Sequence, residues 1–115
     1  MNILKILQLI AVIGTILTGL LSLIWPKKAE GFTGLRAPGR RGVSEIRSVL
    51  GGTFIGLGIA VLILATREAY QMLGITYLAI GAVRAVSIFM DKSKEQSNII
   101  SLVVEIIFGV LLVLS

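Results

Sequence analysis

The chain contains neither cysteine nor histidine. The first absence removes disulfides, thiol chemistry and iron–sulfur ligation. The second removes imidazole-ligated haem and, with the first, the usual zinc and copper sites. Histidine is also the most common general base. Acid–base chemistry would fall to six carboxylates, two tyrosines and the Arg/Lys set. That inventory is too thin to expect an enzyme, and no catalytic residue, cofactor or metal site is assigned. Charge is scarce as well. Only 15% of residues are charged and the mean hydropathy is +0.98, so the chain cannot cover itself with the charged exterior that a soluble domain needs.

The apolar residues come in long runs, not in narrow stripes, as bilayer spans do. Four runs predict an all-α, integral membrane four-helix bundle, a single transmembrane domain over residues 1–115. The spans are expected at about 3–25, 45–66, 68–90 and 98–115. The first ends Leu-Ile-Trp25-Pro-Lys-Lys28, with tryptophan at the headgroup boundary and lysines beyond it. It is read as a retained helix and not as a secretory signal. Residues 26–44 are expected to be a basic loop, since Pro26, Pro38, Gly31, Gly34, Gly39 and Gly42 oppose a long helix. Ser44 and Ser97 are the expected N-caps of the second and fourth spans. Spans two and three, joined by a very short turn around Arg67, form an antiparallel hairpin.

The net charge is +5. It is concentrated in the two loops that fall on one side of the membrane: Lys27, Lys28, Arg36, Arg40 and Arg41 in the first, Lys92 and Lys94 in the other. Lys5 and Arg67 lie on the opposite side. The positive-inside rule places loops 26–44 and 91–97 in the cytoplasm and both termini outside, in a bacterial inner or thylakoid-type membrane. The five basic residues of the first loop are expected to contact anionic lipid headgroups. No nucleic-acid partner is expected, and the Gly/Arg-rich loop matches no nucleotide-binding signature.

Small and polar residues recur at helical spacing: Gln8, Ala11, Thr15, Thr18 and Ser22 in the first span; Tyr70, Gly74, Tyr77, Gly81, Arg84, Ile88 and Asp91 in the third; Asn98, Ser101, Glu105 and Gly109 in the fourth. In lipid, helices associate through close packing of small residues and interhelical hydrogen bonds, so these faces should point inward or toward a partner. Gly51, Gly52, Gly56, Gly74, Gly81 and Gly109 are the expected packing glycines, with Gly52-x-x-x-Gly56 as a small-xxx-small motif.

Arg84 and Glu105 are ionisable residues well inside spans. An unpaired charge at the bilayer centre costs about 2.5–3.5 kcal/mol on insertion scales. Arg84 precedes Met90 by six residues and Glu105 follows Asn98 by seven, depths of about 9 and 10 Å at 1.5 Å per residue. In antiparallel helices joined at those ends the two charges meet in one leaflet. Glu45 and Arg47 enter from the same side. The expectation is one polar cluster of Glu45, Arg47, Arg84 and Glu105, with Ser48, Ser87 and Ser101 nearby, acting as structural glue or as a ligand or ion site.

Arg41-Gly-Val-Ser-Glu-Ile-Arg-Ser-Val-Leu-Gly-Gly52, Gly81-Ala-Val-Arg-Ala-Val-Ser87 and Glu105 together resemble a bacterial family of small four-helix membrane proteins, domain of unknown function 4345. The resemblance implies an architecture and no activity, with Glu45, Arg47, Gly51, Gly52, Arg84 and Glu105 as its signature positions. Two function classes remain in view. One is a non-enzymatic scaffold or accessory subunit that associates with other membrane proteins or with itself. The other is a small homo-oligomeric transporter, or a lipid- or small-molecule-binding protein. The small multidrug exporters share the length and layout, but they carry an essential glutamate in the first span, where this chain has Gln8 and no carboxylate.

Overall fold

The computed structural model describes residues 2–115. These residues are helical almost throughout, with no strand among them. Four helical stretches are long and apolar enough to cross a membrane: Ile3–Ile24, Gly39–Leu64, Arg67–Met90 and Gln96–Val113. The chain is an all-α, integral membrane protein. It divides into two compact units, one of residues 2–11 with Leu64–Ser115, the other of Val12–Ile63.

Helix α1, Ile3–Ile24, ends because Pro26 disfavours helical backbone at the residue before it. Trp25 accordingly leaves the helical region at φ −126° and ψ 69°, and Pro26 opens α2, Pro26–Thr33, at a position where its missing N–H is no loss. Helix α2 stops at Gly34, which takes the left-handed φ of 79° and donates its N–H to the Glu30 carbonyl. The segment expected as loop thus contains a short helix.

The second span begins at Gly39, six residues earlier than expected, so Ser44 lies inside a helix and caps nothing. Pro38 is what starts it: the extended backbone of Pro38, at φ −73° and ψ 115°, is the N-cap conformation that α3, Gly39–Glu45, requires. Ile46–Gly52 then forms a π-helical segment before α4, Thr53–Leu64. The wider π turn inserts a residue into the α-helical repeat, and one residue rotates the faces by about 100°.

The glycines that pack lie on one face of this span. Within the Val12–Ile63 unit α1 lies antiparallel to the second span, with Gly19 beside Gly51 and Ile55, and Ile16 beside Gly58. A Cβ on Gly19 would stand 2.7 Å from the Ile55 nitrogen and 2.8 Å from the Gly51 carbonyl oxygen. Gly51 and Gly58 are buried, whereas Gly52 and Gly56 are exposed and a Cβ on either would meet nothing within 4 Å. The expectation that Gly52 and Gly56 pack helices is therefore corrected here: the contact runs along the Gly51/Gly58 face. Gly52→Ala should leave the fold intact and raise stability by about 0.5–1 kcal/mol through helix propensity, read from a denaturant titration in detergent. Hydroxyls in α1 are satisfied locally: Thr18 donates to the Gly14 carbonyl at 2.9 Å and Ser22 to that of Thr18 at 3.2 Å.

In the other unit, Ala65 and Thr66 make the turn into α5, Arg67–Met90. Thr66 accepts the Ala69 N–H at 3.1 Å, a side-chain cap. Thr66→Ala should cost about 1 kcal/mol in the same titration. A turn at Asp91–Glu95 leads to α6, Gln96–Val113, whose N-cap is Glu95 and not Ser97. Helices α5 and α6 form an antiparallel hairpin. Gly74 abuts Val113 and the Gly109 carbonyl, and Gly109 abuts Leu78. Tyr77 meets Phe108 edge to face at 5.6 Å. The start of α1 joins them: buried Gln8 donates from Nε2 to the Leu111 carbonyl at 2.8 Å.

Candidate functional site

The α5 face that carries Gly74, Tyr77, Gly81 and Ile88 is buried, and Arg84 falls on the same line of three- and four-residue steps. Gly81 is buried opposite α6, where a Cβ would stand 3.5 Å from Ile106 and 3.7 Å from the Glu105 Cβ. Glu105 thus faces α5 one turn before Arg84, at a distance that a Cβ on Gly81 would fill with ordinary van der Waals contact. Glu105 is itself buried, at 8% exposure, which makes an unpaired carboxylate untenable there.

The pair is a bidentate fork. Arg84 Nε donates to Glu105 Oε1 at 2.7 Å and Nη2 donates to Oε2 at 2.8 Å. The parallel geometry matches a planar guanidinium to a planar carboxylate, the strongest form of such a contact. Arg84 Nη1 donates to Asn98 Oδ1 at 2.8 Å. The Asn98 amide in turn donates to the Ser93 carbonyl at 2.8 Å and to Ser93 Oγ at 3.1 Å. A continuous hydrogen-bonded chain thus runs from the buried carboxylate to the α5–α6 turn.

This arrangement neutralises both charges and orients every group in it. Each Glu105 oxygen holds one N–H of Arg84, so a substrate cation would meet a carboxylate whose charge is already compensated. The network fits a register lock between two helices better than an open coordination site.

The other two residues expected in the cluster behave differently. Glu45 lies one turn beyond Arg41 on α3 and takes that local partner, Nη1 to Oε1, at 2.8 Å. With side chains 85% and 48% exposed this pair is worth about 0–1 kcal/mol. Arg47 is exposed on the π segment. Ser87 donates to Asp91 Oδ2 at 2.7 Å and so closes the end of α5 on itself. Asn98 and Ser93 complete the Arg84 network and were not among the expected members. The signal for Asn98 was available: it sits seven residues before Glu105, on the same stripe.

Among the basic residues, Lys27 lies 3.6 Å from Glu30 and Lys28 is 5.3 Å above the Trp25 ring. Arg36, Arg40 and Arg41 are exposed, as are the apolar Trp25, Phe32 and Leu35.

Helices of this length, apolar outward and holding a neutralised ion pair within one hairpin, define a polytopic helical membrane protein. The chain belongs to the family described as Domain of unknown function (DUF4345), whose family model matches residues 3–115. No curated protein and no solved structure matches it.

Proposed function

We propose that this is a small non-enzymatic membrane protein, a scaffold or accessory subunit that associates with other membrane proteins. The observation carrying the reading is the mutual neutralisation of its central charge pair: both Glu105 oxygens are held by Arg84 in a buried fork. A transport site needs a carboxylate that can release its partner, and this one is held through both oxygens by a single guanidinium. The ion pair then serves as glue, and the molecule offers its apolar outer faces to lipid and partners. The segment 26–44, cytoplasmic together with 91–97, anchors it to anionic lipid through Lys27, Lys28, Arg36, Arg40 and Arg41, in a bacterial inner or thylakoid-type membrane.

Affinity capture of the full chain from gentle detergent should co-purify at least one other membrane protein at a fixed stoichiometry. Recovery of this chain alone would remove the scaffold reading. In the same reading Glu105→Gln leaves ion and drug flux into proteoliposomes at the level of empty vesicles, as does the parent protein. A flux present in the parent and lost in the variant would favour a homo-oligomeric transporter instead.

A further inference from the structure

At the end of α5 remote from Arg84 there is a second polar site. Arg67 precedes Arg84 by seventeen residues, about 25 Å along the helix axis, so this end belongs to the other leaflet. A cleft of about 300 Å³ opens here, lined by Lys5, Gln8, Thr66, Arg67, Tyr70 and Ser115, with Leu4 and Leu114 at its apolar margin. All of these residues lie in one compact unit.

Its chemistry is that of an anion receptor with an apolar edge. Lys5 is the single charged residue of α1. It does not extend freely: Nζ sits 3.8 Å above the ring of buried Tyr70, which holds the ammonium at the cleft. Arg67 is fixed through Nε, which donates to the Ser115 main-chain oxygen at 3.0 Å, and this leaves its two Nη groups as donors. Gln71 Nε2 shares that acceptor at 3.1 Å. No carboxylate side chain lines the cleft. Topology does not account for these cations either, because they lie on the side of the membrane opposite the basic loops.

We propose that this cleft binds a phosphate group, carried by the headgroup of an anionic phospholipid. Lys5 and Arg67 face the phosphate from two helices, and Leu4 and Leu114 lie against the glycerol and upper acyl chain. Both cations stand at or within one turn of a helix start, the depth at which headgroups lie.

The test uses the purified full chain, delipidated in nonionic detergent and titrated with short-chain phosphatidylglycerol under native mass spectrometry. Phosphatidylcholine and inorganic phosphate are the comparison arms. Each cation accounts for about fivefold in affinity, so Lys5→Gln with Arg67→Gln should weaken the first bound phosphatidylglycerol by roughly 25-fold. Lys5→Arg, which keeps the charge and the aromatic contact, should retain it. Lys92→Gln with Lys94→Gln, exposed cations of the α5–α6 turn outside the cleft, should leave that first lipid in place. Unchanged binding in the Lys5/Arg67 variant would overturn the proposal, and so would equal loss in the Lys92/Lys94 variant. Full competition by millimolar inorganic phosphate would assign the cleft to the free anion and overturn the lipid assignment. The scaffold reading stands or falls separately, on captured proteins.

Discussion

Glu105→Gln is expected to destabilise the protein by about 3 kcal/mol, the lower end of the range for breaking a buried ion pair. The amide keeps the shape of the carboxylate but withdraws its charge, so the Arg84 guanidinium stays inside the span uncompensated. The lower end applies because the Arg84 side chain retains 30% exposure, against 11% for Glu105. Arg84→Gln should cost a similar amount for the mirror reason. The double variant Arg84→Met with Glu105→Met removes both charges, restores an apolar contact and should return to within about 1 kcal/mol of the parent. Unfolding by a denaturing detergent titrated into mild micelles, followed by circular dichroism, reads all three and closes a double-mutant cycle. Single variants as stable as the parent would mean that the fork holds nothing together.

The second large effect is steric. A Cβ on Gly74 would lie 2.8 Å from the Val113 nitrogen and 2.9 Å from the Gly109 carbonyl oxygen. Backbone cannot swing aside as a flexible side chain can, so even Gly74→Ala must force α5 and α6 apart. A loss of about 1–3 kcal/mol is expected despite alanine's better helix propensity, and Gly74→Leu should exceed it. Set beside the predicted gain at Gly52, the same chemical change acquires opposite signs at two positions. If Gly74→Ala unfolds no earlier than the parent in the same titration, the hairpin is not closely packed there.

The readable parts of this molecule were those that depend on distance along a helix. Long apolar runs marked the four spans because a bilayer demands a minimum length. The meeting of Arg84 and Glu105 followed from counting residues back from a shared turn, which needs only a fixed rise and antiparallel helices. Local breaks were less legible. Pro38 and Gly39 read as loop, yet a proline just ahead of a helix supplies the extended cap conformation that helps start one. The π segment at Ile46–Gly52 has no compositional sign, because the choice between bonding four or five residues back depends on what the helix packs against. Gly52 and Gly56 have the small-xxx-small spacing, but spacing alone does not say which side of a helix meets its neighbour, and here Gly51 and Gly58 do. Gly19 was overlooked for a simpler reason. It follows Thr15 by four residues, on the buried side, whereas the three-residue step from Thr15 leads to Thr18, which is exposed.

The fork between α5 and α6 also bears on how the polypeptide enters the bilayer during synthesis. Either helix alone would carry one uncompensated charge into the hydrocarbon, at about 2.5–3.5 kcal/mol. Folded back on each other across the five-residue turn at Asp91–Glu95, they are electrically neutral at that depth. The last two spans are thus suited to leave the insertion machinery as a pair, with Arg84 waiting at its edge until Glu105 has been translated.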